Sequence, residues 1–371
     1  MKKTPELGFG LMRLPMTGAE MDLGRIEEMV DLYLDSGFSY FDTAYGYFEG
    51  KSEAAAKTAI VDRYPREKFR LTTKMPAWMG VNKTADDAKQ MFWTSLKRTG
   101  AEYFDSYVLH NINTTRVKSF DNFGIWDFVR ELKEKGLIRR VGFSFHDKAE
   151  LLDKVLAEHP EMEFVMLQIN YADWESASVQ SRLCYEMARK HNKPVVLMEP
   201  VRGGMLADML PPTAKAVLDE AGQGQSYASW ALRFAASLEG VETVLSGMST
   251  LEQVRENVEL FKDLRPLDDK ELVVIEKARA ALDSLPSISC TACDYCVADC
   301  PKGIIIPKLF EMFNRDLMYG DFRSAKFGYT WECQFSAKAS DCCQCGKCEE
   351  VCPQQIEIMA ALKQGAEKYE D

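Results

Sequence analysis

No apolar run in this chain approaches the roughly 20 residues that a membrane-spanning helix needs. The opening stretch MKKTPELGFGLMRLP has two lysines, but it lacks the apolar core of roughly 7–15 residues that a secretory signal requires. Basic residues are in deficit: 46 Lys and Arg stand against 57 Asp and Glu, a net charge of -11. That balance weighs against nucleic acid and anionic membrane as partners. A Gly-x-Gly-x-x-Gly loop is missing as well, because Gly8-Phe9-Gly10 runs on into Leu-Met-Arg. An open dinucleotide-binding sheet is thereby disfavoured. What is present is 371 residues, 46% apolar and 28% charged, ordinary for a soluble protein and long enough for one large domain plus a small one.

Cysteine is the conspicuous presence. Two runs share one spacing: Cys290-x2-Cys293-x2-Cys296-x3-Cys300-Pro301 and Cys342-x2-Cys345-x2-Cys348-x3-Cys352-Pro353. This is the bacterial ferredoxin signature, in which three thiolates on a tight turn and a fourth before proline hold [4Fe–4S] cubanes. Structural zinc favours paired C-x2-C knuckles with a long spacer, and the odd total of 11 cysteines does not suit a disulfide framework. Two [4Fe–4S] clusters are therefore expected. In the crossover usual for such repeats, Cys290, Cys293, Cys296 and Cys352 hold one; Cys342, Cys345, Cys348 and Cys300 hold the other. Cys184, Cys333 and Cys343 read as free thiols. A reducing, cytoplasmic setting follows.

Upstream, short β-rich runs alternate with amphipathic helical stretches about every 30 residues, the pattern of a parallel sheet with helical crossovers. Strands are predicted at Phe38–Phe41, Phe69–Thr73, Ser106–Leu109, Ile138–Phe143, Phe164–Ile169, Val195–Met198 and Thr243–Leu245. A further run, Leu7–Gly10, is either a barrel strand or part of an N-terminal hairpin. Eight units in about 260 residues fit a closed (β/α)8 TIM barrel. A small α+β ferredoxin-like iron–sulfur domain follows, the division being residues 1-283 and 284-371. Within the second part, Gly303–Pro307 and Gln355–Ile358 read as short apolar strands over the clusters.

Reactive groups in a parallel barrel sit at the carboxyl ends of its strands. Reading only those places gives Asp42 and Tyr47 after the second strand, Lys74 after the third and His110 after the fourth. Taken singly, each has a structural reading: an Asp–Lys pair as a salt bridge, a core histidine, a packing tyrosine. Their conjunction at successive strand ends points to one catalytic pocket. His159 and His191 lie near helix ends and read as solvated or capping; His146 follows the fifth strand.

These motifs, Asp42-Thr43-Ala44-x-x-Tyr47 with Gly50-Lys51-Ser52-Glu53, strand-end Lys74 and His110, Gly142-Phe143-Ser144, Leu167-Gln168-x-Asn170-Tyr171 and Gly247-x-Ser249-x3-Gln253-x3-Asn257, resemble the aldo-keto reductase family over about residues 5 to 265. The chain looks most like the branch that appends a ferredoxin-type tail. The resemblance implies carbonyl reduction with NADPH or NADH. Tyr47 would be the general acid and Lys74 its tuner, since a nearby ammonium stabilises the phenolate. Asp42 would anchor Lys74, and His110 would orient the substrate oxygen. Ser144 and Gln168 would bind the nicotinamide carboxamide, and Met198 stands where relatives stack a tyrosine. The asparagine usual after that serine is replaced by Phe145. Gly247, Ser249, Gln253 and Asn257 would receive a phosphate at a helix start. No arginine stands at position 253 to mark a 2′-phosphate. Arg202, in Arg202-Gly203-Gly204, either binds pyrophosphate or turns the chain. Trp78, Tyr171 and Trp174 are candidates to shape a substrate pocket.

Hydride transfer moves two electrons and a cubane moves one. Three arrangements follow: a carbonyl reductase with structural or redox-sensing clusters; a flavin-bearing barrel wired through its clusters to an external ferredoxin; or a non-catalytic electron-transfer subunit. No flavin motif is evident. A small carbonyl substrate and a possible redox partner are the expected partners.

Overall fold

A computed structural model describes residues 4–18, 20–222, 224–334 and 336–370. Eight parallel strands close into a barrel: β1 (Glu6–Gly10), β2 (Tyr40–Asp42), β3 (Arg70–Met75), β4 (Phe104–Ile112), β5 (Ile138–Phe145), β6 (Phe164–Gln168), β7 (Val195–Met198) and β8 (Val241–Ser246). Closure runs through β1, which pairs with β8 on one side and β2 on the other. Leu7–Gly10 is thus barrel strand, and the hairpin lies further on, where Met16–Thr17 pairs antiparallel with Glu20–Met21.

Tyr40, Val108, Phe164, Met166, Val196 and Leu245 fill the barrel's interior as one buried cluster. Near the amino ends of the strands, Arg70 pairs with Glu6 and Arg140 with Glu242. The close approach of β5 to β6 requires Gly142, since a Cβ there would lie 2.5 Å from the Phe164 carbonyl oxygen. Polar side chains gather at the opposite, carboxyl ends.

The β4 run is longer than predicted, 9 residues and buried throughout. Its pairing with β5 slips between Leu109 and Ile112, and Asn111 takes a left-handed φ of 61°. Such a bulge locally re-aims side chains and is common beside active sites. After β2, helix Lys51–Ala56 is continued by a wider π turn, Lys57–Val61.

Compactness divides the described residues into two units. The first comprises those up to Glu175, with Gln180–Pro200 and Leu232–Pro266; the second comprises Ser176–Val179, Val201–Ala231 and everything from Leu267 on. Helix Asp269–Asp283 therefore groups with the cysteine-bearing segment, packing on Pro212–Ala221. No strand forms among the described residues after Ser246. The two segments expected to be strands instead lead into helices Ile306–Tyr319 and Ile358–Tyr369. Pro307 explains the first: its missing N–H and fixed φ suit the opening turn of a helix. The second unit's core is aromatic, with Phe313 stacked on Tyr369 (5.1 Å, 6°) and on Tyr329 (5.9 Å, 27°).

Candidate active site and cysteine clusters

Lys74 is the hub of the barrel's upper end. Strand β3 delivers it to the interior, 2% exposed, where its ammonium donates to Asp42 Oδ1, to the Thr43 carbonyl (2.9 Å) and to Tyr47 Oη (3.2 Å). Burial raises the Asp42 carboxyl above its ordinary range, and the Lys74 charge draws it partly back. His110 stands edge-on to Tyr47, with ring centroids 5.9 Å apart at 80°. Burial, then the charge of Lys74, holds the His110 imidazole well below its usual pKa, so it is neutral at physiological pH. The four residues named from strand ends are thus one contiguous group.

The turn carrying Tyr47 is clamped from behind. Ser52, fully buried, bonds to Thr43 Oγ1 (2.7 Å) and to the Leu11 carbonyl (2.9 Å). Glu53, also fully buried, accepts from Thr73 (2.7 Å) and pairs with Arg98 (3.3 Å), which donates to the Tyr45 carbonyl. Phe48, Glu49 and Gly50 all take left-handed φ values (49°, 57° and 91°). At Gly50 a Cβ would meet the Arg98 guanidinium at 2.6 Å. The Gly-Lys-Ser-Glu motif therefore holds the tyrosine's loop in a strained but over-determined shape.

Ser144 and Gln168 end β5 and β6 beside this group. Ser144 Oγ accepts the Asn111 backbone N–H (2.7 Å), keeping its own hydrogen to donate. Gln168 donates to Asp173 (3.2 Å), which also takes a bond from Asn170 (2.8 Å). Asn111 itself is fully buried, and neither end of its side-chain amide has a partner among the described residues. A buried amide left so is costly, and a primary carboxamide is the group that would satisfy it. An asparagine is thus present at this site from β4, although Phe145 replaces the one expected next to Ser144. Met198 packs, half-buried, on the barrel's interior cluster.

At the last barrel helix, Leu251–Lys262, Thr250 caps the start. Gln253 accepts the Ser249 N–H (2.7 Å), Ser249 Oγ donates to the Arg13 carbonyl (2.7 Å), and Asn257 donates to Ser246 Oγ (2.9 Å). Arg13 lies against Gly247, 3.2 Å from the place of its absent Cβ. Sequence reasoning missed this cation, which follows β1 with no motif to mark it. Arg202 falls in the second unit. There it shares with Cys290, Met205, Met209 and Tyr319 the lining of a pocket of about 440 Å³.

Trp78 belongs to the site, its indole N–H donating to the His110 carbonyl (2.7 Å). Tyr171 is fully buried edge-on to Phe234, and Trp174 packs between Tyr185 and Phe234. His159 and His191 each close a helix, bonded to Glu161 and Asp153. His146 has its ring among protein atoms, and burial, with Arg116 next, lowers it to about 3.

In the second unit, the Cys296 thiol is raised by burial, and after that by the neighbouring Cys293, Cys290, Cys352 and Cys348. A second, smaller pocket is lined by Cys300 together with Cys342, Cys345 and Cys348, and exposed Cys343 reaches its rim. Thiols from both halves of the repeat thus lie near one another. Among the described residues no three His, Cys, Asp or Glu side chains close on a point as around a single ion; the thiols stand around small spaces instead. Ile304, Ile306, Phe310 and Leu362 form a dry shell about them. This donor set and its apolar surroundings fit iron–sulfur cubanes. Cys184 is buried, its thiol pushed up to about 12 by burial, while Cys333 is half-buried against the same core.

The Aldo/keto reductase family profile matches residues 6–280, and a 4Fe-4S dicluster domain profile matches residues 289–357. An aldo-keto reductase of Mycolicibacterium paratuberculosis is 27% identical over 260 residues, covering 70% of this chain and 81% of its own. Among solved structures, a Bacillus halodurans aldo-keto reductase in its holo form superposes with a TM-score of 0.60 at 24% identity, covering 74% of this chain and 92% of that one. A Klebsiella pneumoniae aldo/keto reductase in complex with NADP and acetate gives 0.58 at 20% identity, covering 75% and 95%. No described helix is long and apolar enough to cross a membrane. The barrel with its Asp42–Lys74–Tyr47–His110 group, matched along three quarters of the sequence, makes this chain an oxidoreductase of the aldo/keto reductase family, and a 4Fe-4S dicluster domain follows the barrel in its sequence.

Proposed function

We propose that the barrel reduces an aldehyde or ketone to its alcohol with NADPH or NADH, and that two [4Fe–4S] clusters are held in the second unit. The observation that carries this reading is the Lys74 ammonium, 3.2 Å from Tyr47 Oη and anchored on buried Asp42. A bound nicotinamide supplies hydride to the carbonyl carbon. The chain's own groups handle the oxygen. Neutral His110 donates an N–H to the carbonyl and aligns it. Tyr47 Oη then passes its proton to the oxygen as negative charge develops, and Lys74 stabilises the phenolate left behind. Asp42 keeps Lys74 in place.

Ser144, Gln168 and Asn111 would hold the carboxamide, with Met198 against the ring. Gly247, Ser249, Gln253 and Asn257 lie where phosphates would rest on a helix start, and Arg13 adds a cation there. Cys290, Cys293, Cys296 and Cys352 would hold one cluster; Cys342, Cys345, Cys348 and Cys300 the other.

Tyr47→Phe tests the assignment. Expected is a loss of about 10²–10⁴-fold in NAD(P)H-dependent aldehyde reduction, with the brown cluster absorbance unchanged. Retained turnover would exclude Tyr47 as the acid. The pocket of about 440 Å³ beside Cys290 favours a second reading, in which the clusters exchange electrons with a flavin or an external redox partner. Anaerobic purification with iron, sulfide and flavin measured together separates the two. Stoichiometric flavin would support the second.

A further inference from the structure

The larger pocket of the second unit, about 440 Å³, falls within the roughly 300–1,000 Å³ of small-molecule sites. Three segments of that unit wall it: the turn at 202–209, the loop opening at Cys290, and helix Ile306–Tyr319. Of the four cysteines expected on the first cluster, only Cys290 lines it. The pocket therefore adjoins the space of a cubane without being that space.

Its walls are braced against one another. Tyr319 Oη donates to the Met209 carbonyl (2.6 Å), joining the helix to the turn. Asn314 accepts the Ile288 N–H and donates to the Ile288 carbonyl, both at 2.7 Å. That pair joins the helix to the stretch leading into Cys290. The turn itself has an uncommon shape, with Arg202, Gly203 and Gly204 at φ 48°, 65° and 98°. A non-glycine residue held in that region costs stability, and such residues gather at ligand sites.

The lining narrows the occupant. Met205, Met209 and Met318 bring three thioethers, with Pro307 and Tyr319 beside them, and polarizable sulfur packs well against flat conjugated rings. Asn314 is the one side-chain amide among the described lining residues, and both its ends are spent on Ile288. Glu311 is paired with Lys308 (3.4 Å) and Arg315 (3.9 Å). The pyrimidine edge of a flavin would find no amide to read it; a less polar ring has no such need. Cys290, whose Sγ accepts the Ala292 N–H (3.5 Å), puts a cluster ligand in the same wall.

We infer that this pocket receives the ring of a quinone, which the cluster at Cys290 reduces. The inference rests on the reading of the cysteines as holders of two cubanes, and it does not involve Tyr47. Each reduced cubane gives up one electron and returns from [4Fe–4S]1+ to [4Fe–4S]2+. The two electrons, with two protons from solvent, turn the two ring carbonyls into hydroxyls. Two cubanes together thus carry what one quinone takes. A low-potential one-electron donor protein refills them.

The test uses the full chain purified anaerobically, its clusters reduced with dithionite and the excess removed. Menadione, a small naphthoquinone, or FMN is mixed in, and the return of the brown absorbance is timed. The rate is expected to saturate with menadione and to rise only linearly with FMN. Met209 is 44% exposed, so Met209→Trp can fill the pocket from its rim. It should lower the menadione second-order rate constant about tenfold, with iron content unchanged. 2-Methylnaphthalene, a flat ring that dithionite does not reduce, should shift the paramagnetic resonance of the reduced clusters in the wild type but not in this variant. Rates linear in menadione, or saturation unmoved by the substitution, overturn the inference, while the iron present leaves the cluster reading standing. Saturation with FMN alone overturns it in favour of a flavin. Should Met209→Trp lose iron, Met318→Ala decides: a saturating menadione concentration raised about tenfold upholds the inference, and an unchanged one overturns it. A wild-type preparation without iron removes the cluster reading and the inference together.

Discussion

Lys74 spends its three ammonium hydrogens on three different kinds of acceptor: a carboxylate, a carbonyl and a phenol. Removing it strips a countercharge from Asp42, whose second oxygen already lacks a hydrogen-bond partner among the described residues. Lys74→Met should therefore cost about 3–5 kcal/mol of stability as well as turnover, a loss readable as a lowered denaturant midpoint. Asp42→Asn with Lys74→Met should recover part of it, because the orphaned charge is gone. The histidines make a second prediction. His146 titrates at 6.5 when unfolded and at about 3 in the folded chain, so as pH falls the unfolded state takes the proton first. Its contribution is fully present above pH 6.5 and drains away toward pH 3, and His110 acts in the same direction. The melting temperature should thus fall between pH 7.5 and 5, less steeply in His146→Gln. Asp42, Lys74 and His110 were legible in the sequence because strand ends are predictable places in a barrel. Arg13 and Asn111 were not, since a loop and a bulge set their directions and no periodicity announces these.

Among the elements, the barrel strands follow their apolar runs closely, as strands buried on both faces should. The helices of the second unit were harder to read. Ile304-Ile305-Ile306 reads as strand by its β-branched content, yet Pro307 directs it into a helix, and helices Phe322–Glu332 and Ile358–Tyr369 went unforeseen. Their pattern is aromatic packing rather than a clean stripe. Phe313 lies so near the last helix that a Cβ on Gly365 would fall 2.0 Å from its ring. That ring is stacked on Tyr369 and cannot turn aside freely. Gly365→Ala should accordingly destabilise the unit by about 1–3 kcal/mol despite its better helix propensity, seen as a lower melting transition with the cluster absorbance bleaching early. The crossover of cysteines between the two halves belongs to this scale as well. Cys352→Ser should remove roughly half of the iron and acid-labile sulfide; unchanged iron would refute its place in the donor set.

For the whole molecule, metal binding and folding are expected to be one equilibrium in the second unit, because its apolar shell surrounds the thiols themselves. Stripping iron with a chelator under mild oxidation should lower one calorimetric transition and leave another near its original temperature. That second unit is gathered from three stretches of chain, two of which fall in the barrel's sixth and seventh repeats. Its helix Asp269–Asp283 packs on Pro212–Ala221, whose Ala214 and Leu218 are buried. A cut after the barrel's final helix would therefore part Asp269–Asp283 from a partner helix more than forty residues upstream, so the seam between the two profile matches is not the seam along which the chain packs.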